Sequence, residues 1–141
     1  MRPAALRAIA LIAAATGASP VAADDASSKS PAMSHGWRFG EQGGAEMYSH
    51  VCAACHQADA GGAAGAGRYP RLAADEKLAS TDYVLSVLVG GLKSMPPIAS
   101  MMSDAQVADV VNYVRTHFGN AYPDAISAAD VAAARRTAPP P

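Results

Sequence analysis

The feature that most constrains this chain is the five-residue run Cys52–His56, which has the pattern C-x-x-C-H and contains both cysteines of the sequence. Two thiols one helical turn apart match the spacing of the two vinyl groups of a porphyrin, to which they can add covalently. The adjacent histidine then lies under the iron and can bind it through a ring nitrogen. The pattern therefore predicts covalent attachment of a c-type haem to Cys52 and Cys55, with His56 as an iron ligand.

Three other interpretations of the two cysteines are open at this point. They could form a structural disulfide, which an exported protein would retain. A thioredoxin-like redox pair would need a preceding strand and a βαβ context, and the sequence shows neither. A zinc site would need a second Cys or Cys/His cluster, which the sequence lacks. Haem attachment is favoured because the five-residue pattern is specific.

The N-terminal segment, Met1 to Ala23, has the pattern of a signal peptide. Arg2 and Arg7 make its start positive, and a short apolar run over residues 8–18 follows. Small residues then precede a plausible cleavage site after Ala23. The apolar run is shorter than the roughly 20 residues of a membrane span. We therefore expect export to the periplasm, cleavage, and no membrane span in the mature protein.

The composition after that segment excludes some partners. Without Arg2 and Arg7, nine of the eleven basic residues remain against twelve acidic ones, which gives a net charge of −3. No basic stripe is present, so nucleic acid is not an expected partner. Residues 24–40 are rich in Ser, Ala and Asp and predict a flexible leader, with Trp37 and Phe39 expected to pack on the domain surface.

The second informative stretch is Met95 with the two prolines that follow it, 39 positions after His56. A haem with one histidine leaves its sixth site open, and a thioether sulfur is a soft ligand suited to ferrous iron. The prolines make a stiff strap without backbone donors. We predict Met95 as the second axial ligand, with Met101 as the alternative. Met47 lies on the helix of the haem motif and would point away from the sixth site. Met101 and Met102 flank the start of the last main helix, where apolar residues usually pack into the core.

The segments before this strap predict a helix, a loop and a second helix. The first helix runs from about Glu41 into the haem motif. Residues 57–67 are rich in glycine and alanine and predict a loop. Residues 83–89 are apolar nearly all round, so the second helix should be well buried, and Ser80 or Thr81 can cap it.

The segments after the strap predict the last main helix and a short one. Ser103 to Gln106 has the sequence of a capping box. Apolar residues then recur with helical period; they are Val107, Val110, Val111, Val114 and Phe118. Gly119 and Asn120 are the residues expected at the C-terminus of that helix. A short helix is predicted from about Ser127 to Arg136.

With these helices, the haem motif and the Met-Pro strap, residues 40–120 resemble a class I (mono-haem) cytochrome c. In that family, a glycine and an aromatic residue of the N-terminal helix meet the C-terminal helix, and Gly44, Tyr48, Val110 and Tyr113 stand in the corresponding places. The resemblance implies an all-α fold with three main helices around one covalent haem and crossing N- and C-terminal helices. Together with the N-terminal patterns, the resemblance predicts a signal peptide (1–23), a leader (24–40), the cytochrome c domain (41–120) and a C-terminal tail (121–141).

The resemblance also assigns site residues. The family has a proline whose carbonyl accepts a hydrogen bond from the ligating histidine, and Pro70 stands in its place relative to His56. Met95 stands in the place of the family's axial methionine. Unlike mitochondrial cytochromes c, the domain lacks a ring of lysines. Arg68, Arg71 and Lys93 are the candidates for the rim of the haem edge, as propionate partners or as contacts for a redox partner.

The function implied by this resemblance is one-electron transfer without chemistry on a substrate at the iron, so the protein is not expected to be an enzyme. It would serve a respiratory chain as a carrier or as the electron-transfer subunit of an oxidoreductase. The tail that follows the last main helix resembles those of cytochrome c subunits of bacterial periplasmic oxidoreductases. Its partners would be redox proteins, such as a periplasmic dehydrogenase or reductase. The alternative is a haem sensor or peroxidase-like protein with a labile sixth ligand.

Overall fold

The computed structural model describes residues 38–65 and 67–138. The predicted signal peptide and most of the predicted leader, including Trp37, lie outside the described residues. Five α-helical segments and two short strands order the described chain; they are α1 (Gly44–Met47), α2 (Ala53–His56), β1 (Ala63–Ala64), β2 (Arg68–Tyr69), α3 (Thr81–Gly90), α4 (Asp104–Thr116) and α5 (Ala128–Thr137). Two 3₁₀ turns, Glu76–Ala79 and Ile98–Met101, precede α3 and α4. Among these described segments, no helix combines the length and apolar character that a membrane crossing needs.

The first helical stretch runs without a break from α1 through a π-helical segment, Tyr48–Cys52, into α2. The predicted start at about Glu41 is three residues too early, because Gly43 has φ +76° and so cannot belong to an α-helix. A π-helical turn is a wider turn than an α-helical one and often occurs at functional sites. Here it ends at Cys52, the first cysteine of the haem motif.

This first stretch crosses α4 at close range, as the resemblance implied. A Cβ atom at Gly44 would overlap the carbonyl oxygen of Asp109 and would lie 2.5 Å from Cβ of Tyr113. One turn later, the rings of Tyr48 and Tyr113 have their centroids 5.9 Å apart, and Phe118 lies 4.7 Å from Tyr48 by the same measure. The absence of a side chain at Gly44 therefore permits the approach, and aromatic contacts extend it.

Helix α4 begins and packs as predicted. Ser103 and Gln106 form the capping box, and the side chain of Gln106 also donates to the carbonyl oxygens of Phe39 and Glu41. Four members of the predicted stripe are buried along the helix, namely Val107, Val110, Val111 and Val114. The fifth, Phe118, lies beyond the helix and is half-buried. The helix ends at Thr116 rather than at Gly119 and Asn120, because the next residue, His117, is already extended, with φ −120° and ψ 178°.

The expectation of a well-buried α3 is wrong in part. Ser80 caps the helix by accepting a hydrogen bond from the amide of Tyr83. Only Val84 and Leu85 are buried, whereas Tyr83 is 38% exposed. The helix packs on α5 and on the two 3₁₀ turns. These contacts cover one face of the helix, and apolar residues on its other faces stay partly exposed.

The segment predicted as a C-terminal tail packs onto the domain as far as Ala138. Helix α5 occupies the region of the predicted short helix, and its Val131 is fully buried. Asn112 of α4 holds the preceding loop by both donating to and accepting from the backbone of Ile126, at 2.8 Å each. Arg135 makes an ion pair with Asp104 at 2.7 Å. Helix α5 is thus part of the same core as α3 and α4.

The all-α description needs a correction in the glycine-rich loop. Residues 57–67, predicted to be loop only, contain β1, which pairs antiparallel with β2 in a two-residue ribbon. The mostly helical architecture is confirmed, whereas the arrangement of three helices around a haem stays a prediction. The ribbon matters for the site because Pro70 follows directly after β2.

One buried charge, for which no sequence pattern predicted a role, connects α4 to two neighbouring segments. Arg115 is 1% exposed. Its guanidinium donates to the carbonyl oxygen of Leu78 and to both the carbonyl and the carboxylate oxygens of Asp124. A buried charge needs such partners, and they join α4 to the first 3₁₀ turn and to the loop before α5.

Candidate haem site

The two cysteines of the motif are free thiols in this structure, Cys52 half-buried and Cys55 exposed. The structural disulfide is therefore not formed. Burial, with a smaller contribution from the neighbouring Cys55, raises the pKa of Cys52 to about 11. Thiol–disulfide enzymes depend on the opposite effect, a lowered thiol pKa that yields a reactive thiolate. The geometry and the pKa both disfavour a thioredoxin-like redox pair.

His56 is the last residue of α2, and it is buried. Its Nδ1 atom lies 2.9 Å from the carbonyl oxygen of Pro70. Because a carbonyl oxygen only accepts hydrogen bonds, Nδ1 must carry the proton, and Nε2 then holds the free lone pair. Among the described residues, nothing donates a hydrogen bond to Nε2. This tautomer, with one nitrogen bound to a carbonyl and the other free, is the one that a metal-ligating histidine adopts.

The loop that carries Pro70 is anchored at Leu72, two residues after the proline. After Pro70, the amide of Leu72 donates to the carbonyl oxygen of Ala60 at 2.9 Å. The buried side chain of Asn120 donates to the carbonyl oxygens of Leu72 and Val114, at 2.9 and 2.8 Å. By residue type, Asn120 was predicted only to end α4. Its tertiary role is to connect that helix to the loop of Pro70, and no local pattern indicates this.

Tyr48 fixes the chain directly after the ligand candidate. Its hydroxyl donates to the carbonyl oxygen of Gln57 at 2.7 Å. Burial raises the pKa of Tyr48 to about 12, so the phenol keeps its proton and remains a donor at physiological pH. Gln57 has φ +69°, which turns the chain away from the helix after His56. Aromatic packing was predicted for Tyr48, but this hydrogen bond was not.

Met95 closes a tight turn in the strap after α3. Leu92 and Met95 exchange two backbone hydrogen bonds of 3.0 Å, and Met95 is half-buried. Pro97 has φ −72° and ψ 70°, and the amide of Ile98 donates to the carbonyl oxygen of Pro96 at 2.7 Å. That geometry is an inverse γ-turn, so the strap is a succession of two tight turns.

The predicted site residues therefore fall into two groups. Pro70 and His56 are in hydrogen-bond contact, and the two cysteines lie on the helical turn that ends at His56. Met95 lies on a separate segment and forms no hydrogen bond with them in the described part of the chain.

The other methionines narrow the choice of the sulfur ligand. Met47 and Met102 are 1% and 2% exposed and belong to the core, which was predicted for Met102. Met101 is half-buried, and its carbonyl oxygen accepts from the amide of Phe39 at 3.0 Å. The described part of the chain thus leaves Met95, or in its place Met101, as the partly exposed thioether.

The donor set fits a haem better than a metal ion bound by protein alone. Within residues 38–65 and 67–138, no group of three or more His, Cys, Asp or Glu side chains is placed to hold a metal ion. One imidazole nitrogen and one thioether sulfur can supply only two ligands. Iron held by them needs its other four ligands from a porphyrin, which the two free thiols next to His56 can tether.

The comparison with known families agrees with this donor set. Residues 41–114 match the family model described as "Cytochrome C oxidase, cbb3-type, subunit III". The chain belongs to this cytochrome c family. Membership confirms the predicted resemblance to cytochromes c and implies haem c as the cofactor.

Individual relatives of this cytochrome are subunits of dehydrogenases. It is 36% identical over 110 residues to the alcohol dehydrogenase (quinone) cytochrome c subunit of Gluconacetobacter polyoxogenes, covering 69% of this chain and 23% of that protein. It is 34% identical over 93 residues to the fructose dehydrogenase cytochrome subunit of Gluconobacter japonicus, covering 55% and 19%. It is 34% identical over 109 residues to the gluconate 2-dehydrogenase cytochrome c subunit of Pantoea cypripedii, covering 67% of this chain and 24% of that protein.

The chain thus spans only about a quarter of the length of the curated relatives that it matches. These relatives are named as cytochrome subunits of dehydrogenases. These names agree with the predicted class of protein, a cytochrome c subunit of an oxidoreductase.

Proposed function

We propose that this cytochrome transfers single electrons through one haem c that is attached to Cys52 and Cys55, with His56 and Met95 as the axial ligands of the iron. The observation that carries the proposal is the contact of 2.9 Å between Nδ1 of His56 and the carbonyl oxygen of Pro70. This contact leaves Nε2 free for iron at the histidine of a C-x-x-C-H motif.

Haem c supplies reversible one-electron exchange between ferric and ferrous iron when it is bound. The chain's own residues orient the ligands for that exchange. Pro70 keeps the proton on Nδ1 and makes the imidazole of His56 a better donor. The two tight turns around Met95 hold its backbone, so the thioether needs little reordering. With both axial positions filled, a substrate has no access to the iron, and the protein itself performs no chemistry on one.

We further propose export to the periplasm and a dehydrogenase as the electron donor. The support for the donor comes from the relatives, which are named as cytochrome subunits of alcohol, fructose and gluconate dehydrogenases. Arg68, Arg71 and Lys93 are exposed and form no ion pair within the described residues. They lie near Pro70 or Met95 in sequence and are therefore available to haem propionates or to a redox partner.

The test of the ligand set is the variant Met95→Ala, made in the full chain and produced in a host that attaches haem c. The mass of the wild-type protein should include one covalent haem. Its ferric spectrum should be low-spin with the weak long-wavelength band of sulfur ligation. Met95→Ala should lose that band and bind carbon monoxide rapidly in the ferrous form, whereas the control Met101→Ala should do neither.

Three results would contradict parts of the proposal. Loss of the band in Met101→Ala instead of Met95→Ala would move the sulfur ligand to Met101. A high-spin ferric wild type, or rapid carbon monoxide binding by it, would favour the sensor or peroxidase-like alternative. A mass without porphyrin would overturn the assignment of the motif. Co-purification of the wild-type protein with a dehydrogenase would identify the donor.

A further inference from the structure

Gly62 contacts both of the chain segments that form the hydrogen bond at the ligand candidate, the one that ends at His56 and the one that carries Pro70. On one side, its amide donates to the backbone carbonyl oxygen of His56 at 3.0 Å. On the other side, its Cα faces the backbone that carries Pro70. A Cβ atom at Gly62 would lie 2.5 Å from the carbonyl oxygen of Tyr69, 2.7 Å from the amide nitrogen of Arg71 and 2.8 Å from the carbonyl carbon of Pro70.

All three of these neighbours are backbone atoms, which cannot rotate away as the end of a flexible side chain can. Separations below 3.0 Å are essentially never seen for real Cβ atoms. The next residue, Ala63, pairs with Tyr69 in the ribbon, so the two chain segments are also held together by hydrogen bonds. A methyl group at Gly62 would therefore have to push the segment 69–71 away from the loop that follows His56.

We infer that Gly62 is a positioning residue for the axial histidine: its missing side chain sets how closely the carbonyl of Pro70 approaches Nδ1 of His56. This inference rests on the proposed function, in which His56 binds the iron. The glycine acts through Pro70 and has no contact of its own with the imidazole. It determines the donor strength of the ligand rather than its presence.

The physical consequence has a defined sign. The Nδ1–O distance is 2.9 Å, and N–H···O hydrogen bonds weaken beyond about 3.2 Å. A shift of the Pro70 carbonyl by a few tenths of an ångström therefore weakens the bond. A weaker bond at Nδ1 makes the imidazole less basic, so it stabilises ferric iron less. The reduction potential of the haem must then rise.

The test is Gly62→Ala in the full haem-loaded protein, compared with two matched glycine variants. Gly43 also has a positive φ, +76° against +72° at Gly62, but a Cβ there meets nothing within 4 Å. Gly43→Ala therefore measures backbone strain alone. Gly65 lies in the same loop as Gly62, and a Cβ there also meets nothing within 4 Å. Gly65→Ala therefore measures the effect of a methyl group in this loop.

Two properties are measured for the wild type and each variant: the reduction potential, and the exchange of the His56 Nδ1 proton with solvent in the ferrous state by ¹⁵N NMR. We expect Gly62→Ala to raise the ferrous-to-ferric ratio at a fixed potential about tenfold, which is ~59 mV for a one-electron couple. We expect its Nδ1 proton to exchange at least tenfold faster. Both control variants should stay within about twofold of the wild type in both properties.

Equal potentials and exchange rates in all three variants would overturn the inference while leaving the proposed function intact. A wild type without haem, or with a haem that keeps the same axial ligands in His56→Ala, would overturn the proposed function, and the inference with it. If Gly62→Ala gives too little holoprotein, the same three variants are compared in a Gly90→Ala background. Gly90 lies in α3 with nothing within 4 Å of its Cβ position, so alanine there should stabilise the fold.

Discussion

Replacing Gly44 with alanine should destabilise the protein, because α1 and α4 touch at this residue. The added Cβ would overlap the carbonyl oxygen of Asp109 and lie 2.5 Å from Cβ of Tyr113. Overpacking of this kind costs about 1–3 kcal/mol, and contacts with backbone and a Cβ atom place Gly44 near the upper end. The higher helix propensity of alanine offsets up to ~1 kcal/mol. The net loss in free energy of unfolding is therefore about 2 kcal/mol, a fall in Tm of roughly 8–16 °C for a domain of this size.

The assay is urea unfolding of the ferric haem-loaded protein, followed in parallel by far-ultraviolet circular dichroism and by the Soret band. Gly90→Ala is the matched control, because Gly90 is also a helical residue but its Cβ position is open. This control should raise the free energy of unfolding by about 0.4–1 kcal/mol. The reasoning fails if Gly44→Ala has the same unfolding midpoint as the wild type, or a higher one as expected for the control.

Two further predictions concern the strap and the buried arginine. Gly91 has φ +74°, and a Cβ there would lie 2.8 Å from the carbonyl oxygen of Met95. Gly91→Ala should therefore weaken the sulfur band of the ferric spectrum and speed carbon monoxide binding by the ferrous form. An unchanged spectrum would contradict this. The hydrogen bond from Arg115 lowers the pKa of Asp124 in the folded protein. The ionised pair therefore stabilises the fold fully above the pKa of about 3.9 that an aspartate has in the unfolded chain. This stabilisation is lost as the pH falls through the lower pKa of Asp124 in the folded state. Asp124→Asn should therefore show a smaller fall of the urea midpoint below about pH 4 than the wild type, and parallel falls in the two proteins would argue against the pair.

Local patterns predicted the helices where the residues that define them are neighbours in sequence. The capping box of α4 consists of Ser103 and Gln106, three positions apart, and both hydrogen bonds form. The end of the same helix was misplaced, since Gly119 and Asn120 fit a C-terminus by residue type alone. The helix already ends at Thr116, because His117 is extended, and the ring of Phe118 beyond it packs on Tyr48 from the first helix. Residue type alone does not show at which residue the backbone leaves the helical conformation.

The candidate site shows the same division. Spacing within a single helical turn predicts Cys52, Cys55 and His56 as haem-binding residues. The family resemblance gave Pro70 a contact that lies at 2.9 Å in the structure. Neither source pointed to Asn120, which ties the loop of Pro70 to the end of α4. A buried asparagine has no sequence signature, because its partners are carbonyl groups that every residue possesses.

By itself, the sequence predicts the chemistry of this protein, in the atoms that can hold a haem, and it indicates which stretches contain the main helices. Those properties depend on residues that are close in sequence, and such residues stay close in space whatever the fold. Only the tertiary structure decided that Gly62 lies against the backbone of residues 69–71, that Arg115 is buried, and that α5 belongs to the core. These contacts join segments far apart in the chain. Because protein interiors are closely packed, one missing side chain or one buried charge affects the structure only through such contacts.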